Sequence, residues 1–80
     1  MQIAIIKHLY ENHTIEELKL AEEAMYEEQN PAILVEGKDE GEKLTHILAA
    51  MHILEDMQQN NLDARTALRN YTQRVRNSIS

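Results

Sequence analysis

The sequence holds no cysteine, no tryptophan and no phenylalanine. Without cysteine there is no disulfide framework, no CxxC redox pair, no thiolate metal site and no cysteine nucleophile. Two glycines and one proline in 80 residues leave too little turn-forming material for a many-stranded β fold. No apolar run approaches the roughly 20 residues that cross a bilayer. The stretch Ile3-Ala4-Ile5-Ile6 is broken at Lys7 and His8, too soon for the apolar centre of a secretory signal. The expected setting is therefore the cytoplasm, with no membrane partner. Three tyrosines are the only aromatic residues, so any core must be aliphatic.

At 42% apolar and 28% charged residues the composition is that of a globular chain, not a disordered one. Eighty residues make one small domain, 1–80, whose own core is marginal; chains of this size commonly gain stability by associating. The formal net charge of −6 argues against a nucleic-acid partner.

Periodicity and capping residues divide the chain into four helices, near 2–12, 15–29, 40–59 and 64–79, and so predict an all-α, three- or four-helix bundle. Thr14 and Glu17 have the spacing of a capping box, and Asn30-Pro31 stops the second helix. Residues 31–41 read as a loop whose Ile33-Leu34-Val35 tripeptide is expected either to plug the core or to offer an apolar surface. Asp39 with Glu42 is a second capping pair, and Asp63 caps the fourth helix. In that last helix Ala64, Ala67, Leu68, Tyr71, Val75 and Ile79 share one face, and Arg65, Arg69 and Arg76 line its flank.

The third helix carries the most information. Leu44, Ile47, Leu48, Met51 and Leu54 form one stripe, and Ala50, Ile53 and Met57 widen it beyond the arc of about 100° that one core usually takes. A helix so broadly apolar is either central to its bundle or shared with a second subunit. The second option is expected, with Ala50, Ile53 and Met57 as the candidate interface of a homodimer, and Ile33, Leu34 and Val35 as another apolar contact.

Charge is segregated along the chain. Residues 11–42 carry eleven acids and two lysines, whereas residues 64–80 carry four arginines and no acid. The acidic second helix and the arginine flank of the fourth are expected to face one another, within a subunit or between two. Glu55 falls inside the apolar stripe of the third helix; it is expected to reach water there, or, if buried, to meet an arginine of the fourth helix or of a second copy. Glu55, Arg65, Arg69 and Arg76 are thus the candidate polar determinants of specificity.

The segments Ile5-Ile6-Lys7-His8-Leu9, Leu44 to Met57, and Asp63-Ala64-Arg65-Thr66-Ala67-Leu68 leading to the arginine-rich end together resemble a family of short bacterial proteins, about 80–90 residues long, that are uncharacterised and all-helical. The resemblance implies a small helical protein with no assigned activity, and it supplies no catalytic residue.

Chemistry has few candidates. His8 with Glu11 and His52 with Glu55 stand i, i+3, and Glu42 with His46 stands i, i+4, so each pair can share a helix face. A His/Glu metal-binding bundle is therefore the alternative to an interaction protein, although no metal, cofactor or catalytic residue is expected. Ser78 and Ser80 lack a nucleophile setting. Gly37-Lys38-Asp39-Glu40-Gly41 lacks the Gly-Lys-Ser/Thr of a phosphate loop. A helix-turn-helix reader of nucleic acid, using Arg65, Arg69 and Arg76, ranks lower still. The expected role is a non-catalytic helical module acting by protein–protein contact, with an unidentified protein partner beside its own second copy.

Overall fold

The computed structural model describes residues 2–79, apart from the side chain of Ile79; the expectations for Ile79 and Ser80 lie outside the described residues. The chain folds into four helices, α1 (Ile3–Asn12), α2 (Ile15–Tyr26), α3 (Glu40–Asn60) and α4 (Ala64–Ile79), the small all-α bundle that the periodicity predicts.

Local chemistry explains most of the boundaries. Thr14 and Glu17 close a reciprocal capping box, with Glu17 N–H donating to Thr14 Oγ1 at 3.2 Å and Thr14 N–H to Glu17 Oε1 at 2.9 Å. Asp39 Oδ1 accepts from Glu42 N–H at 2.8 Å, and Asp63 Oδ1 from Thr66 N–H at 2.7 Å. The second box closes on one side only, since Glu42 Oε1 is buried without a hydrogen-bond partner. These bonds satisfy donors that a helix start leaves free.

α2 stops three residues short of the expected Gln29. Glu28 takes a left-handed φ of 59°; Gln29 N–H then donates to Ala24 O at 2.8 Å and Glu28 N–H to Met25 O at 3.2 Å. Those two bonds form a Schellman motif, here built on a glutamate where glycine would sit unstrained. α3 ends in the same way, with Asn61 at φ 53° and Leu62 N–H donating to Met57 O at 3.1 Å. Asparagine tolerates that conformation, and the chain turns back within three residues. α3 and α4 therefore form a helical hairpin.

Only α3 packs against each of α1, α2 and α4; no other pair of helices makes close backbone contact among the described residues. The bundle is a slab measuring 32 × 28 × 18 Å, shallow for helices about 10 Å thick. Ile6, Leu9, Leu18, Ile47 and Ile53 are fully buried in its core, each worth about 1.5–3 kcal/mol relative to exposure. Tyr10 joins them, and burial pushes its hydroxyl pKa up, with the neighbouring Glu11 charge adding to the effect. No described helix is long and apolar enough to cross a membrane.

This arrangement corrects the expectation for the third helix. Ala50 and Ile53 are both 0% exposed within a single chain, so they belong to its own core and offer no free surface to a second subunit. The physical reason is coverage: α3 is surrounded by three helices, so its broad apolar arc marks a central element. Met57 is half-buried, packed against the core near the turn into α4.

Candidate functional site

The loop between α2 and α3 turns the tripeptide of residues 33–35 into a ridge. Val35 is buried, and Ile33 packs half-buried against the core, whereas Leu34 is 81% exposed. The three successive side chains thus stand at three different depths. Val35 plugs the core and shows only 5% of its surface, so it is no free contact surface of its own, while Leu34 is left in water.

A recess opens on each side of Leu34. One, of about 230 Å³, lies between the end of α2 and the start of α3, where Met25, Ile33 and Val35 form its apolar wall and Glu28, Glu40 and Lys43 its polar rim. The other, of about 210 Å³, lies against α1 and is lined by Ile5, His8, Leu9 and Glu36. Leu34 lines both. The loop is held tightly to α3, for a Cβ at Gly37 would come within 2.9 Å of the Lys43 side chain and 3.0 Å of its backbone nitrogen.

The loop's second anchor is His46, which is 0% exposed. Its Nε2 faces the Gln2 backbone nitrogen at 3.0 Å, and its Nδ1 faces Glu36 O at 2.9 Å. A backbone N–H can only donate, so Nε2 accepts, Nδ1 carries the proton, and Glu36 O receives it. Sequence reasoning paired His46 with Glu42 and missed this role. The signal was present: His46 stands four residues before Ala50 and seven before Ile53, on the buried face of α3. With both ring nitrogens engaged, His46 has no lone pair to give a metal.

Two other histidines are engaged at the surface, whereas His13 Nδ1 is buried without a hydrogen-bond partner, 4.0 Å from Glu17 Oε1. His8 Nδ1 lies 3.3 Å from Asn12 Nδ2. The His52 ring packs against Tyr71 with centroids 5.4 Å apart, and Arg74 donates to its Nε2. Among the described residues no group of three His, Asp or Glu side chains stands together as a metal site.

Glu55 is exposed and lines a shallow recess with His52, Asp56 and Arg74, so the arginine of α4 that shares its recess is Arg74. Arg65, Arg69 and Arg76 are exposed along α4, and Glu16, Glu23 and Glu27 along α2. The expected facing of these two helices does not occur inside the subunit, because α2 and α4 do not meet. Arg65 and Arg69 instead lie near Asp63, whose carboxyl is held below its usual range first by the Thr66 N–H bond and then by the Thr66 side chain, with both arginines adding to the effect.

The chain matches a family described as being of unknown function, DUF6952, over residues 1–80. No curated protein and no solved structure matches it.

Proposed function

We propose, for a chain that belongs to the DUF6952 family of unknown function, a non-catalytic helical module that self-associates, with a homodimer as its smallest working unit, and that holds a protein partner at the Leu34 ridge. The observation that carries this reading is Leu34 itself, 81% exposed between two recesses with apolar walls. An aliphatic side chain left in water beside ready-made recesses gains about 1.5–3 kcal/mol when a partner covers it. The rim selects the partner's chemistry: Glu28, Glu36 and Glu40 outnumber Lys43 there, which favours a segment with an aliphatic anchor flanked by basic residues.

Self-association is supported by the side chains that one chain leaves bare. Leu20 is 66% exposed, Tyr26 63% and Leu48 41%. The cytoplasm is the compartment proposed, in keeping with a chain that holds no cysteine.

Affinity capture from the source cell with the wild-type chain and with Leu34→Glu tests the partner surface. The expected result is a defined partner that the variant loses while its circular dichroism and melting point stay those of the wild type. Capture of the same proteins by both chains would refute the ridge as the contact.

A further inference from the structure

The two faces of opposite charge have matching spacings. On α2 and its C-cap, Glu16, Leu20, Glu23 and Glu27 follow one another at i, i+4, i+7 and i+11, the spacing of a single helix face. On α4, counted from its C-terminal end, Arg76, Thr72, Arg69 and Arg65 fall at the same intervals. At about 1.5 Å per residue the charged positions on both helices are separated by about 10 and 6 Å. The three glutamates and three arginines are exposed, Leu20 is 66% exposed, and Thr72 is half-buried.

No other described helix of the subunit covers either face, although Arg65 and Arg69 lie near the Asp63 carboxylate. Among the described residues no lysine or arginine lies within 4.0 Å of a carboxylate, and α2 and α4 make no contact. The four intervals read the same from either end, so the uncharged residue sets the direction: Leu20 meets Thr72 only when the helices run antiparallel, whereas a parallel pairing sets Leu20 against Arg69 and Glu23 against Thr72. A run of three charges with an uncharged residue at the same place in each series favours one alignment over its neighbours, since a shift of one residue rotates every pair apart by about 100°.

We infer that two copies of this chain dock α2 of one against α4 of the other, antiparallel, setting Glu16 against Arg76, Glu23 against Arg69, Glu27 against Arg65 and Leu20 against the methyl group of Thr72. This rests on the self-association proposed above and names its surface. Exposed ion pairs contribute little individually, so the matched charges set register and orientation while burial of Leu20 adds affinity. Used reciprocally the two contacts close a two-fold pair, and used once they leave one face of each kind free for further copies.

Sedimentation of the full chain up to millimolar concentration tests this. In about 0.1 M salt the average mass should rise with concentration, and in about 1 M salt it should fall back toward the monomer as the screening length shrinks from about 10 Å to about 3 Å. Glu23→Arg and Arg69→Glu should each weaken association about tenfold or more, and the chain carrying both changes should recover it to within about threefold. All the substituted positions are on the surface, and circular dichroism checks that each variant folds. Association that ignores salt and both charge reversals would overturn the α2–α4 register and leave self-association standing. A wild-type monomer under every condition would overturn both. Binding of a mixed-sequence RNA or DNA duplex by the wild type but not by Arg69→Glu, with no recovery of association in the double variant, would assign the arginine face to a polyanion and also overturn the inference.

Discussion

The backbone N–H of Gln2 and the Nε2 of His46 are 3.0 Å apart, which joins the start of α1 to the second turn of α3 across 44 residues of sequence. Gln2 offers no side-chain cap to α1; what fixes that end is the ring of a buried histidine. The same ring, through Nδ1, holds Glu36 O and with it the base of the Leu34 ridge. One side chain therefore places both the α1 wall and the loop between the two recesses.

Replacing His46 by leucine leaves Gln2 N–H and Glu36 O without their partner. The expected loss is about 1–3 kcal/mol, read as a lower urea midpoint. Nitrogen-15 spectra of the wild-type ring should show the proton on Nδ1 and a bare Nε2; the opposite tautomer would contradict donation from Gln2 N–H to that ring.

Glu28 should respond in the other direction. Its φ of 59° is a conformation that is strained for L residues and open to glycine. Glu28→Gly is expected to raise stability by about 1 kcal/mol, measured by chemical denaturation, with no change in helix content.

Core and ridge separate under alanine substitution. Ile53→Ala removes a side chain that is 0% exposed and should cost about 2–5 kcal/mol. Leu34→Ala, at a position 81% exposed, should stay within about 0.5 kcal/mol of the wild type. Comparable losses at both sites would place Leu34 in the core.

Asp63 gives the fold an acid limb. Its carboxyl pKa lies below the ordinary 3.8 because the Thr66 N–H bonds the charged form. A depressed carboxyl contributes stability that is fully present above the unfolded value and is lost as pH falls through the lower folded one. Melting temperatures measured from pH 5 down to pH 2 should therefore drop more steeply for the wild type than for Asp63→Asn. The variant should melt lower above pH 4.

The helix starts were legible because their causes are local. Thr14, Asp39 and Asp63 bond donors three residues away, and any sequence carrying them at that spacing announces a start. The end of α2 was not, since Glu28 adopts a backbone conformation that the sequence signals only through glycine or asparagine. The misplacement of Ala50 and Ile53 has a different origin. A broad apolar arc states that a helix is covered on many sides, but its own residues do not say whether the cover is the same chain or another copy. The differing depths of residues 33–35 were equally hidden, since a tripeptide in a loop has no period until Val35 finds the core.

α3 alone holds the other helices, and this makes the protein mechanically uneven. Among the described residues α4 packs against α3 and no other helix, and it contributes one fully buried side chain, Ala67, so it can peel away while α1, α2 and α3 stay joined. Its amides should trade deuterium sooner than those in the middle of α3, where release requires the whole molecule to open. A chain that loosens at one edge before its centre presents that edge first to proteases and to neighbours, with the arginine row exposed in both states.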